Sequence, residues 1–247
     1  MKGLLPGEGH FQRLIFMNDM AKILCGSDDD CLRELGEVLK LYRDLHGAGE
    51  DIDISVDFDR KVFPLISSIS DPRLLAKGVA KVMRRLNIEI DEDSVLKYIT
   101  GEAGIDERGS IALYIYRRLF YRAVRKRLGD VMWDRDRCPI CGLAPIAGIA
   151  KKVSHGIYAR TVLELRCLCG YSWDYDLFRC PACGNRDRSK FEVLILSGIN
   201  IHKCIACGHI VGVVSDSPYI DRELIHIAIS YIIMRNLEIS PPSTLKN

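Results

Sequence analysis

Eight of the ten cysteines lie between 138 and 207, in four close pairs: Cys138/Cys141, Cys167/Cys169, Cys180/Cys183 and Cys204/Cys207. Glycine follows every pair at once, as Gly142, Gly170, Gly184 and Gly208. Thiolates in close pairs are metal ligands, and two pairs supply the four sulfurs of one tetrahedral ion. Eight sulfurs therefore predict two ions. In a metal knuckle the chain turns sharply so that backbone N–H groups aim at the sulfurs. Glycine takes the positive φ that this turn needs. Pro139 and Pro181 follow the first cysteine of their pairs, where a fixed φ suits a tight loop. Disulfide frameworks belong to exported chains, and the start, MKGLLPGEGHFQRLIF, has no long apolar core followed by a small-residue cleavage site. The expectation is a cytoplasmic protein whose paired thiols stay reduced and hold metal.

Consecutive pairing joins 138/141 with 167/169 and 180/183 with 204/207, across loops of about 25 and 20 residues, as in a β-ribbon. The ten residues between Cys169 and Cys180 then read as a linker between two modules. Cys167-Leu168-Cys169 has a single residue between its sulfurs, so this bite is expected to strain the knuckle and weaken or distort its site. His155, in a polar loop, is a possible substitute ligand; His202 and His209 flank the last pair and read as supporting or surface groups. Cys25 and Cys31 stand apart, and the expected role for both is small, buried core residue.

These sites need elements to hold them. Up to about 128 the pattern is helical. Apolar residues repeat from Phe11 to Leu24. Asp28-Asp29-Asp30 precede a helix over 31–45, stopped at His46-Gly47-Ala48-Gly49. The alternation at Ile52, Ile54 and Val56 reads as a short strand or extended linker. Helices follow over 58–69, from Asp71-Pro72 through Leu86, from Asp91 to Tyr98, and over 106–128 with Ile111, Ile115, Leu119 and Val124 on or near one face. After Gly129 the texture changes to knuckles and β-rich runs at Val162–Leu165, Val193–Leu196 and Ile210–Val214. A last amphipathic helix covers 217–238, with Leu224, Ile227, Ala228, Tyr231 and Ile232, before Ser240-Pro241-Pro242-Ser243. The fold class is α+β: a helical domain over 1–130, a first rubredoxin-like or zinc-ribbon module over 131–176, and a second over 177–247 with a C-terminal helix.

The composition agrees. Among 247 residues, 48% are hydrophobic and 28% charged, which is ordinary for a globular chain. The 35 basic and 33 acidic residues leave +2, so overall charge does not imply nucleic acid. No stretch approaches the roughly 20 apolar residues of a membrane span. Gln12 is the only glutamine, and few thermolabile amides is a feature of proteins that work hot. No Walker A, dinucleotide fingerprint, His-Glu-x-x-His or nucleophile elbow is present, and the protein is not expected to be an enzyme.

The segment Cys138-Pro-Ile-Cys-Gly-Leu-Ala-Pro-Ile-Ala-Gly resembles the first knuckle of the FdhE family, the formate dehydrogenase accessory proteins. Leu165-Arg-Cys-Leu-Cys-Gly-Tyr-Ser-Trp173 is similar to that family's second knuckle, with its tryptophan four residues after the last cysteine. The family usually has two residues between these cysteines, where this chain has one. Arg179-Cys-Pro-Ala-Cys-Gly184 and Lys203-Cys-Ile-Ala-Cys-Gly208 resemble the third and fourth. Order and spacing agree over roughly 138–215, and the helix near 218–238 takes the place of the family's closing helix. The resemblance implies a cytoplasmic maturation factor that binds iron through these cysteines. Its partner would be the catalytic subunit of a molybdenum- or tungsten-dependent formate dehydrogenase, or of a related molybdopterin oxidoreductase. Sequence alone leaves the two ions as iron or zinc.

Two other readings follow from the residues. Arg117, Arg118, Arg122, Arg125, Lys126 and Arg127, interleaved with Tyr114, Tyr116, Phe120 and Tyr121, could hold phosphates and stack bases in a nucleic-acid-binding zinc-ribbon protein. The plainer reading of that stretch is a solvated helix face. A rubredoxin-like electron-transfer protein would need iron in a module near solvent.

Overall fold

A computed structural model describes residues 19–47, 63–128, 133–155, 158–196 and 198–237. The expected elements at 11–18, 51–57 and 58–62, and the tail from Ser240, lie outside the described residues. The chain divides into two compact units.

The first unit comprises Met1–Arg43, Ile146–Arg166 and Asp174–Pro242. Its helix α1 is described over 19–25 and leads through a tight turn to α2 (Asp29–Gly47). Gly26 takes φ +61° at this turn, and the Asp28 carboxylate accepts from the Cys31 backbone N–H at 2.9 Å. The single aspartate thus caps α2 while Asp29 and Asp30 fill its first turn, so the helix begins two residues before the expected 31. The same turn brings Cys25 and Cys31 to a Cα separation of 5.6 Å, and the two form a disulfide. Both are buried, as expected of core residues, but they are not free thiols. The expectation of two separate core cysteines did not include the bond; the turn geometry set by Gly26 and Asp28 supplies it.

The strands are β1 (Ala147–His155), β2 (Tyr158–Arg166), β3 (Ser172–Tyr175), β4 (Phe191–Leu196), β5 (Ile199–Cys204) and β6 (Ile210–Ser215). They form one sheet in the order β3-β2-β1-β6-β5-β4. β1 pairs antiparallel with β2 and parallel with β6, whereas β6–β5 and β5–β4 are antiparallel. The three β-rich runs seen in the sequence belong to β2, β4 and β6. What they did not show is that the ribbons of the two modules share one sheet through the β1–β6 pair. Helix α6 (Ile225–Leu237) packs on β1 and β6. A Cβ at Gly212 would lie 2.3 Å from Ile229 Cγ2, so only glycine lets α6 come this close to β6. Every residue from Leu224 to Ile229 is buried, so the first turn of the helix is covered all round, and exposed residues appear only at 234–236. It also starts at Ile225 rather than 217, after a turn in which Asp221 accepts from the N–H groups of Glu223 and Leu224.

Charge fastens this unit. Glu164, 8% exposed between buried Leu163 and Leu165, pairs with Lys151, Arg166 and Arg222. Arg222 also reaches Asp216, and Lys151 reaches Asp174 at 3.5 Å. Burial pushes the Glu164 carboxyl up, but Lys151 and Arg166 outweigh it and hold it below the usual range. On the other side, Tyr231 and Arg235 of α6 both bond Glu34, and Arg235 reaches the capping Asp28 at 3.3 Å.

The second unit comprises Asp44–Pro145, Cys167–Trp173 and Ser243–Asn247. Helices α3 (Arg73–Arg85), α4 (Glu92–Thr100) and α5 (Glu107–Val124) pack on one another. Asp91 caps α4 through the Ser94 N–H, and Asp106 caps α5 through the Gly109 N–H. Pro72 stands at the N-cap of α3 rather than at its first helical position, so the helix begins one residue later than expected. Ile115, Leu119 and Val124 are buried along α5. The helix expected over 58–69 is, in its described part, only a 3₁₀ turn at Leu65–Ser68. The N–H groups of Leu65 and Ile66 are drawn to the carbonyls of Pro139 and Ile140 in the first cysteine knuckle, at 2.8 and 2.9 Å. No helical ladder can use them.

Candidate metal centres

The eight paired cysteines converge as two groups of four: Cys138, Cys141, Cys167 and Cys169, and Cys180, Cys183, Cys204 and Cys207. The grouping is the consecutive one that the loop lengths favoured. Within each group all sulfurs lie within 4.8 Å of one another. In the first, Cys138–Cys169 is 3.6 Å and Cys141–Cys167 is 3.3 Å. In the second, Cys180–Cys207 is 3.6 Å and Cys183–Cys204 is 3.8 Å. A tetrahedral ion with bonds of about 2.3 Å sets its sulfurs about 3.8 Å apart, so both groups fit one ion each with little movement. Four sulfurs and no other donor make a closed soft site, the chemistry of zinc or of iron. No histidine joins either group among the described residues.

The knuckles show how sequence builds the sites. In the three Cys-x-x-Cys-Gly turns, the glycine N–H bonds the carbonyl of the first cysteine: Gly142 to Cys138, Gly184 to Cys180, Gly208 to Cys204, at 2.7–2.9 Å. The first cysteine N–H closes the loop on the carbonyls of Leu143, Asn185 and His209. The N–H groups of those same three residues turn toward the sulfurs of Cys141, Cys183 and Cys207. The glycines sit at φ +73° to +76°.

The Cys-x-Cys knuckle does the same with one residue fewer. Gly170 N–H still bonds the Cys167 carbonyl, at 2.9 Å, and Cys167 N–H bonds Tyr171. Every bond spans one residue less, and Gly170 opens to φ +100°. The short bite thus tightens the turn without pulling Cys169 out of the group. The expected distortion is limited to the 3.3 Å approach of Cys141 to Cys167.

The surroundings of the sites differ. All four sulfur residues of the first site are buried: Cys138 1%, Cys141 8%, Cys167 and Cys169 0%. Pro64 packs on Gly142, and the Arg118 guanidinium of α5 lies over Gly170. Tyr121, Tyr171 and Trp173 run in contact beside the site, with ring centroids 6.0 and 5.8 Å apart. Burial pushes the Cys138 and Cys169 thiols well up. It also lifts the Tyr171 phenol to about 12, with help from the neighbouring Cys138 sulfur. A cation among the sulfurs removes that penalty by holding them deprotonated.

At the second site Cys180 and Cys204 are buried, but Cys183 and Cys207 are exposed. The Ala182 N–H lies 3.4 Å from Cys180 Sγ, and Tyr175 OH reaches the Cys180 carbonyl. His202 and His209 line a small cavity with Cys180 and Cys204, and burial lowers the His202 pKa. Both histidines are half-buried and flank the site without joining the four sulfurs.

Sequence reasoning missed the Leu65–Ile66 backing, Pro64 and the Tyr121–Tyr171–Trp173 row. It also read Tyr114, Tyr116 and Phe120 of α5 as possible base-stacking groups. All three are buried, so the basic stretch offers bases no such faces from them. Their apolar repeat along 111–124 was the available signal.

No protein-family model matches the chain, and no curated protein matches it. Among solved structures the chain is similar to the FdhE protein from Pseudomonas aeruginosa, with a TM-score of 0.53 and 16% identity over 92% of each chain. At that identity the likeness shows the fold: the architecture is FdhE-like across nearly the whole chain.

Proposed function

We propose that this protein is a cytoplasmic, non-enzymatic accessory factor that assists maturation of a molybdenum- or tungsten-dependent formate dehydrogenase by binding its catalytic subunit. The observation that carries this reading is the FdhE-like architecture over 92% of the chain, together with two closed four-cysteine groups. A closed site leaves no coordination position for a substrate, which suits binding and assembly better than metal-assisted hydrolysis. No described helix is long and apolar enough to cross a membrane, which fits a factor that meets its client before export or membrane docking. The test is co-purification from the native host. Recovery of a molybdopterin oxidoreductase catalytic subunit supports the reading; recovery of nucleic acid alone overturns it.

The exposure of Cys183 and Cys207 favours rubredoxin-like electron transfer as the second reading. It requires iron at that site and a reversible couple in the visible spectrum. Zinc alone, with no visible band, eliminates it.

A further inference from the structure

Strand β4 is the outer strand of the sheet, so among the described residues one row of its backbone N–H and C=O groups has no strand to pair with. Edge strands are normally blunted by lysine, proline or a covering segment. Over 193–196 this one carries only Val-Leu-Ile-Leu. Val193, Leu194 and Ile195 are 57%, 48% and 73% exposed. Val193 and Ile195 share one face, opposite His202 and Asn200 of β5. Leu194 lies on the other face beside Ile201, which is 2% exposed. The covered face of the sheet thus runs out one strand too early. The β4–β5 turn packs on α1: a Cβ at Gly198 would meet the Ile23 carbonyl at 2.8 Å.

The flank of β4 is basic. Arg186, Arg188 and Lys190 are exposed, and Arg188 lies over the Phe178 ring. The nearby acids are already engaged: Asp187 accepts from Ser189, and Glu192 pairs with Lys203 at 3.5 Å. The Ile205 N–H bonds the Lys190 carbonyl, so this basic end adjoins the exposed knuckle of Cys207.

We infer that β4 is a docking edge for an extended segment of a partner polypeptide, added antiparallel as a further strand, apolar at alternate positions and acidic at its C-terminal end beside residues 186–190. A second copy of this chain matches less well. Antiparallel self-pairing about 193/194 aligns the apolar runs but sets Lys190 against 197 and Arg188 against Ile199, with no acid opposite either. Shifting the two-fold to Phe191 sets Glu192 against Lys190 but places Leu194 against Arg188 and Val193 against Ser189. Of these two occupants, only a different chain satisfies both the apolar and the basic parts. The inference concerns this surface and does not depend on the client being a formate dehydrogenase.

The experiment uses the full-length, metal-loaded protein and three synthetic peptides. One alternates valine and threonine over six residues and ends in three glutamates. The second ends in three lysines. The third is the glutamate peptide with alternate amides N-methylated. The glutamate peptide is expected to bind about tenfold or more tighter than the lysine peptide, since close charge complementarity at an interface is worth more than about 1.4 kcal/mol. N-methylation should abolish binding, because it removes the strand-pairing donors. Ile195→Lys and Lys190→Glu should each weaken it, with circular dichroism and metal content unchanged; Ile195 is mostly exposed and its replacement leaves the core intact. Equal binding of the two charged peptides, retained binding of the methylated one, or no binding of the glutamate peptide overturns the inference. So does a dimer in sedimentation that Ile195→Lys dissociates, since the edge is then filled by a second copy.

Discussion

The two cysteine groups obey one local grammar and sit in opposite surroundings. Each has four sulfurs at 3.3–3.8 Å across its two close contacts, and each knuckle is closed by a glycine at positive φ. The first is buried on every sulfur and braced by Pro64, Leu65, Ile66, Arg118 and Tyr171, all from the unit it belongs to. The second presents Cys183 and Cys207 to solvent at the end of the sheet. Ligand identity therefore decides that a metal fits, and burial decides what losing it does. The first group is buried within the helical unit and tied to its backbone at Leu65 and Ile66. The second decorates a unit already fastened by six strands, α6 and the Glu164 charges.

The largest expected effect breaks that symmetry. Cys169→Ala and Cys207→Ala should each lower bound metal from two ions per chain to one. A structural zinc site contributes about 10–16 kcal/mol of apparent binding energy to the fold around it. Cys169→Ala should therefore abolish cooperative melting of the helical unit, seen as lost helical circular dichroism. Cys207→Ala should keep the far-ultraviolet spectrum. Equal loss of helix in both variants would refute the assignment of structural weight to the first site.

The cysteine sites were legible because their chemistry is local: four sulfur pairs, four glycines and two prolines between Cys138 and Gly208 carry the geometry in sequence spacing alone. The burial difference was not, because it is set at long range. Leu65 and Ile66 are some 70 residues from the knuckle they brace, and nothing in Phe-Pro-Leu-Ile announces it. The one-sheet topology was hidden for the same reason: β1 and β6 pair across more than 60 residues. The disulfide was hidden because Cys25 and Cys31 read as two separate core residues, and the local turn at Gly26 makes the bond. Few glutamines already pointed toward proteins that work hot, a class in which intracellular disulfides do occur.

Glu164→Gln sharpens the comparison by loosening only the unit that holds the second site. Removing the acid leaves Lys151, Arg166 and Arg222 without their shared partner, a change that costs about 3 kcal/mol for a buried pair. The carboxyl is held below its ordinary value, so its contribution is complete above that value and vanishes as pH falls through the lowered pKa. The variant should melt at lower temperature at neutral pH, and the gap from the parent should close in acid. A gap that persists at pH 2 would remove the ion pairs from the explanation.

Accessibility gives a smaller, kinetic difference. A thiol-alkylating reagent added with a chelator should modify Cys183 and Cys207 first and release one equivalent of metal ahead of the other. An opening cost only about 1.4 kcal/mol higher at the first site makes its release tenfold slower. Mass spectrometry of the partly modified protein assigns the order. Early modification of Cys138 or Cys169 would place the labile ion at the buried site.

The smallest difference is between two knuckle glycines. Gly208 at φ +73° faces open space, with nothing within 4 Å of a built Cβ. Gly208→Ala should therefore cost only the left-handed conformation, about 1 kcal/mol. Gly170 at φ +100° would place its Cβ 2.3 Å from Arg118 Nη1 and 3.3 Å from Tyr121 Cδ1. The guanidinium can swing aside at little steric cost, but it then leaves the turn, and the Tyr121 ring must yield by a few tenths of an ångström. Gly170→Ala should exceed Gly208→Ala by about 1 kcal/mol, in the range seen when a close-packed site is overfilled. The excess should shrink in an Arg118→Ala background, where only the Tyr121 contact and the wider φ remain, while the Gly208→Ala cost stays as it was. Equal costs for the two glycines in the parent protein would show that the α5 side chains do not brace the short knuckle, and that the Cys167/Cys169 turn stands by its own hydrogen bonds.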